Sequence, residues 1–232
     1  MTTRKVGNPL ALAVLATLSE APNHPYDIAQ LLRSRGKEQS IKINYGSLYT
    51  VVRSLERHGL IEEVSTEREG LRPERTVYAI TGPGREELHD WMSELLGIRQ
   101  KEYPQFETAL ALAGVMHPDK VLALLDKRLA QLAQENAAAR EELTRYLAIL
   151  PRLFLIEGEY ALAMAEAEET FVRGLAESIR SGELNGLDGW RSLHKTGLSP
   201  EQWKQLDDMA KRAAAENSKG RTRATHDNST ST

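Results

Sequence analysis

Residues 41–60 read IKINYGSLYTVVRSLERHGL, and the two sides of this stretch differ in chemistry. Leu48, Val51, Val52 and Leu55 recur at steps of three and four, which gathers them on one stripe of an α-helix. Gly46, Tyr49, Thr50, Arg53 and Arg57 fall on the opposite side, with Asn44, Tyr45 and Ser47 at the start. The stripe suits a core. The outward set combines hydroxyls, a phenol and guanidinium groups, donors that suit phosphate oxygens and base edges. The stretch therefore reads as a helix that recognises DNA, although an ordinary amphipathic surface helix carries the same pattern.

Working outward toward the N-terminus, Asn8-Pro9 is a cap followed by a proline where its missing amide costs nothing, and Leu10, Val14, Leu15 and Leu18 mark the buried side of a first helix. Pro25 opens a second helix with Ile28, Leu31 and Leu32 apolar, closed by Arg33, Arg35, Gly36 and Lys37. Two helices before a recognition helix make a helix-turn-helix. On the other side, residues 60–65 and 76–80 have strand character and flank a charged stretch holding Gly70 and Pro73, which predicts a hairpin. Arg68, Arg72 and Arg75 stand at or near its tip among Glu67, Glu69 and Glu74; a solvated loop and a wing laid against DNA both fit. Thr81 caps a further helix in which Leu88, Trp91, Met92, Leu95 and Leu96 are expected to face a core.

Composition is that of a globular protein, 41% hydrophobic and 27% charged over 232 residues. The net charge of −3 argues against nonspecific coating of nucleic acid but not against a local basic face. Zero cysteines exclude disulfides, thiol nucleophiles and thiolate metal sites. No segment reads as a signal peptide or as the roughly 20 apolar residues a membrane span needs, so no membrane partner and a cytoplasmic location are expected. The six histidines are scattered, and no HExxH, nucleophile elbow or phosphate loop is present. No catalytic residues, metal or cofactor are expected, and the chain does not read as an enzyme.

The segments LAVLATLSEAPNHPYDIAQLL (12–32), NYGSLYTVVRSLERHGLIEE (44–63) and RPERTVYAITGPGREEL (72–88), in this order and spacing, resemble the winged-helix domain of PadR-like transcriptional regulators. YPQFETALALAG (103–114) and residues 151–184 are similar to the C-terminal helical domain of the longer members, so the resemblance runs to about residue 184. It implies a homodimeric bacterial transcription factor, usually a repressor, that binds a palindromic operator and in several cases releases it to a small molecule. By position it implies DNA contacts from Tyr45, Ser47, Tyr49 and Arg53 of the recognition helix and from Arg72 and Arg75 of the wing. Physical grounds add Lys42 as a phosphate contact and Asn44 and Thr50 as base readers near the helix start. Tyr78 matches a family tyrosine and is expected to pack. Two positions depart from the family pattern: Pro25 stands where glycine is usual, and Thr81-Gly82-Pro83-Gly84 replaces T-P-x-G. Both lie at helix starts, where proline is tolerated.

Residues 118–150 predict one helix of about 50 Å at 1.5 Å per residue. Leu122, Leu125, Leu129, Leu132, Asn136, Ala139, Leu143, Tyr146 and Leu150 follow coiled-coil spacing, which a helix of the same chain or of a second copy could meet. Asn136 could fix register if buried there. After Pro151, a helix places Leu153, Tyr160, Met164, Ala167, Phe171, Leu175 and Ile179 on roughly one side, with Glu157, Glu159, Glu166, Glu168 and Glu169 on a solvated surface. Residues 199–202 form a capping box ahead of a short helix with Trp203, Leu206 and Met209.

The expected architecture is mainly α: a winged helix-turn-helix of three helices and a hairpin over 1–98, a helical dimerisation and effector domain over 99–184, an extension over 185–216 and a disordered tail over 217–232. The expected partners are double-stranded operator DNA, a second copy of the chain and a small aromatic effector lined by Trp91, Tyr103, Phe106, Phe154 and Tyr160, residues that serve a simple core equally well. A winged helix that binds another protein instead of DNA is the competing class.

Overall fold

Asn8 starts the first helix, α1 (Pro9–Glu20): its side-chain oxygen accepts from the Leu10 amide at 2.9 Å, and Pro9 fills the first turn. The computed structural model describes residues 4, 6–67, 75–197 and 199, together with 201, 204, 208, 209, 211, 212 and 215. It falls into two units that divide between Glu102 and Tyr103. In the first, α1 is the central brick, with Leu10, Val14, Leu15 and Leu18 fully enclosed. Thr17 is buried beside them and satisfies its hydroxyl by donating to the Ala13 carbonyl at 2.9 Å. Helix α2 (Pro25–Ser34) adds Ile28, Ala29 and Leu32, and α3 (Tyr45–Arg57) adds Leu48, Val51, Val52 and Leu55. Truncating a core residue such as Leu15 or Leu48 to alanine would cost about 2–5 kcal/mol.

Strands β1 (Ile61–Glu67) and β2 (Arg75–Ile80) pair antiparallel from Ile61 opposite Ile80 outward, with a register shift between Glu63 and Ser65 that leaves Val64 as the extra residue. Asn23, between α1 and α2, exchanges two backbone hydrogen bonds with Tyr78, at 2.9 and 3.0 Å. Helix α4 (Gly82–Gly97) is capped by Thr81, whose Oγ1 accepts from the Gly84 amide at 3.1 Å and donates to the Gly59 carbonyl at 2.7 Å. Gly84 sits so close that a Cβ there would collide with the Leu60 carbonyl oxygen and with Ile80 Cγ1. Trp91 is buried and Leu88 packs beside it, with Arg4 over the indole and ion-paired to Glu87 and Glu94. The core face expected of α4 stops there: Met92, Leu95 and Leu96 are exposed, the last at 81%. They follow the helical period, but the sheet and α1 cover only the first three turns.

The second unit holds α5 (Gln105–Ala111), α6 (Pro118–Leu147), α7 (Ile156–Ser181) and α8 (Leu187–Thr196). Pairing of Asp126 with Arg180, Asn136 with Glu169 and Arg140 with Glu166 shows α6 and α7 running antiparallel. Val121, Leu125 and Leu132 meet Val172, Ala176 and Ile179, so the first half of the α6 seam is closed within the chain. Asn136 is 3% exposed, and its amide donates to Glu169 Oε2 at 2.8 Å. Beyond it Ala139, Tyr146 and Leu150 are exposed. The apolar row expected to face a core on α7 is corrected: Leu153 precedes the helix and is exposed, and Tyr160, Met164 and Phe171 are exposed too. Their row lies roughly 100° around α7, one residue's turn, from the buried Val172, Ala176 and Ile179. Helix α8 belongs to this unit by packing: Leu187 joins the core and the Trp190 indole donates to the Met116 carbonyl at 2.8 Å. Trp203 and Leu206 of the expected short helix lie outside the described residues, as does the tail from 217, and Met209 is exposed.

Candidate nucleic-acid interface

The polar side of α3 is open. Ser47, Tyr49, Thr50, Arg53 and Arg57 are exposed along it, and Lys42 is exposed in the approach. The arrangement follows from the sequence: with four apolar residues committed to the core, 100° per residue turns these groups outward. Most other arginines of the first unit's described surface are neutralised locally, Arg33 by Glu38 at 2.9 Å and Arg35 by Glu20 at 2.7 Å. Lys42, Arg53 and Arg57 make no ion pair among the described residues. A run of uncompensated cations beside hydroxyl donors can attract phosphate and bond base edges.

Several expected contacts are placed otherwise. Asn44 is the N-cap of α3, its Oδ1 accepting from the Gly46 amide at 2.9 Å, so the side chain cannot offer the paired acceptor and donor that reads adenine. Thr50 donates its hydroxyl to the Gly46 carbonyl at 3.1 Å and turns only acceptor lone pairs and a methyl outward. Tyr45 is half-buried and stacked on Tyr26. On the wing, Arg75 is half-exposed and faces Asp27 at 3.9 Å, while Arg68 and Arg72 lie outside the described residues. Tyr78 packs against the core, as expected. Its phenol is pushed up by burial and by Glu56 and Glu63, with Arg53 acting the other way, which puts Arg53 beside the second strand. The face thus spans α3 and the base of the wing.

Sequence reasoning missed Tyr26 and Arg33 as partners of Tyr45, and His24 as the cap of α2. The His24 ring accepts from the Tyr26 amide through Nδ1 at 3.1 Å. Burial lowers its pKa, Asp27 opposes that shift and Arg75 reinforces it. No sequence period signals a stack between two helices.

Residues 14–90 match the model of the transcriptional regulator PadR-like family. The first unit is a PadR-like domain. PadR of Bacillus subtilis, solved in complex with operator DNA, is similar to this chain with a TM-score of 0.60 and 17% identity over 73% of this chain and 98% of that one. The same protein solved with p-coumaric acid aligns at 0.60 and 16% identity, covering 72% and 96%. The Vibrio cholerae virulence activator AphA aligns at 0.58 and 18%, covering 74% and 98%. No curated protein matches the chain. At these identities the structural neighbours establish a shared fold; the PadR-like assignment comes from the family match and from the winged helix itself.

The aromatic residues expected to line an effector pocket are dispersed in each unit. Trp91 is a core residue of the PadR-like domain. In the second unit Phe106 lies against Arg128, whose guanidinium carbon is 3.9 Å from the ring centroid, while Tyr103, Phe154 and Tyr160 are exposed. Among the described residues no group of three or more His, Asp or Glu side chains could hold a metal ion, and no helix is long and apolar enough to cross a membrane.

Proposed function

We propose that the protein is a homodimeric transcriptional repressor that binds a palindromic operator with α3 of each copy in the major groove and lets go when a small aromatic molecule binds. The observation that carries this reading is the outward side of α3, where Ser47, Tyr49 and Arg53 stand exposed and the cations have no carboxylate partner among the described residues. Lys42 and Arg53 supply capture of phosphate, Ser47 and Tyr49 the polar groups at the groove, and Arg72 and Arg75 of the wing the flanking contacts. Asn44 and Thr50 support the helix start.

Dimerisation is assigned to the second unit. Tyr160, Met164 and Phe171 form an apolar row on α7, and Tyr146, Ile149, Leu150, Leu153 and Phe154 extend the apolar surface around the α6–α7 turn. Two reading heads about one duplex turn apart require such a pairing. The solved PadR complexes with operator DNA and with p-coumaric acid support the choice of ligand classes, and Tyr103, Phe106, Phe154 and Tyr160 are the aromatic groups offered to an effector here.

The test is selection of duplexes from a random-sequence pool, followed by gel shift at stated salt with the Arg53→Ala variant beside the wild type. A selected palindrome bound far more tightly than a scrambled duplex, with a salt slope that falls by about 0.9 on loss of Arg53, is the expected result. Recovery of no preferred sequence would reassign the winged helix to protein binding.

A further inference from the structure

The first residue of α3 is held from α2 by contacts that a direct role at DNA does not use. The Tyr45 ring stacks on Tyr26 with centroids 5.6 Å apart and planes within 14°. Arg33 lies over the same ring, its guanidinium carbon 4.5 Å from the centroid. From there Arg33 donates through Nη2 to the Ile43 carbonyl at 3.5 Å and through Nε to Glu38 Oε1 at 2.9 Å. Gln30 fixes the other ring, donating to the Tyr26 hydroxyl at 2.6 Å.

We infer that Tyr45 and Arg33 are positioning residues that set the rotation of α3 about its own axis, and that neither touches DNA. This rests on the reading of α3 as the groove-entering helix. The apolar stripe of α3 fixes which side is buried but not the angle to within a few degrees, because side chains of similar size can repack around a small rotation. At an outer radius of about 5–6 Å, a 20° rotation carries a side-chain tip about 2 Å, more than a base-edge hydrogen bond tolerates. A planar ring gripped by a second ring and a guanidinium, one residue after the Asn44 cap, removes that freedom. Arg33 is suited to this and not to phosphate: Glu38 already compensates its charge, its side chain is only 33% exposed, and its planar group stacks as an ammonium cannot.

The probes are a duplex selected by the wild-type protein and a scrambled duplex of the same composition, titrated over a range of salt. Tyr45→Phe keeps the ring and is expected to bind the selected duplex within about twofold of wild type. Arg33→Gln and Tyr45→Leu are expected to weaken selected-duplex binding about tenfold, with scrambled-duplex binding within about twofold and the salt slope unchanged. Should Tyr45→Leu fail to fold by circular dichroism, Arg33→Gln and Tyr45→Phe carry the test. Loss of affinity in Tyr45→Phe, or a slope smaller by about 0.9 in Arg33→Gln, would mean direct contact and overturn the inference. An unchanged ratio of selected to scrambled affinity in Arg33→Gln would overturn it too. A wild-type protein that selects no sequence at all defeats the DNA reading first, a separate outcome from any of these.

Discussion

The amide of Asn136, in the middle of α6, donates at 2.8 Å to Glu169 of α7, and Glu169 also pairs with Arg173. Those two bonds, that from Asn136 first, hold the Glu169 carboxyl below its usual range. A buried amide that finds one partner at one height admits one register of the two helices. Asn136→Ala is expected to lower the melting temperature by about 2–4 °C, for a cost of about 1 kcal/mol. Glu169→Gln keeps an acceptor and should change it less; the reverse order by calorimetry would remove the register role.

Gly84 carries the junction between wing and α4. Alanine there drives a methyl against the Leu60 backbone oxygen, which cannot swing aside as a side-chain tip would. Gly84→Ala is expected to destabilise the PadR-like domain by about 1–3 kcal/mol, measured by urea unfolding. A neutral result would show that the base of the wing yields easily.

The cap of α2 depends on pH. Neutral His24 accepts from the Tyr26 amide, and protonation at Nδ1 removes the acceptor. Since burial depresses the folded pKa, protons favour the unfolded chain: the contribution is present above the ordinary histidine value of about 6.5 and is lost as pH falls through and below it. His24→Asn caps at every pH, so the melting temperature of wild type should drop further between pH 7.5 and 5 than that of the variant. Parallel curves would argue that another group governs acid sensitivity.

Phe171 and Met164 probe the α7 row. Sedimentation of the wild type is expected at about twice the chain mass of 25.9 kDa, and Phe171→Glu with Met164→Asp at the single mass. Binding to the selected duplex should fall with it, while the circular dichroism spectrum stays helical. A dimer that survives both charges would move the interface off α7.

Much of the reading head is legible in sequence because each signal is local. Asn8-Pro9 and Pro25 mark helix starts, the stripe of Leu48, Val51, Val52 and Leu55 marks a buried side, and β-branched residues around a charged stretch mark the hairpin. What escapes is the availability of partners. Met92, Leu95 and Leu96 keep helical period past the point where the domain can cover them, and α7 carries two apolar rows of which period alone cannot say which one meets α6. Asn44 escapes for another reason: capping and base reading ask for the same amide, and the helix end takes it first. Arg33 in the last turn of α2 looks like an ordinary cation at a helix C-terminus; only the path of residues 35–44 brings it over Tyr45.

The pair of backbone bonds between Asn23 and Tyr78 stitches the α1–α2 connection to the edge of the wing. A sideways load on the hairpin is therefore shared with the foot of α2 instead of bending two strands alone. A head braced in this way behaves like the jaw of a caliper: any message reaching it is expressed by where the whole jaw is carried, with its gripping surface keeping one shape.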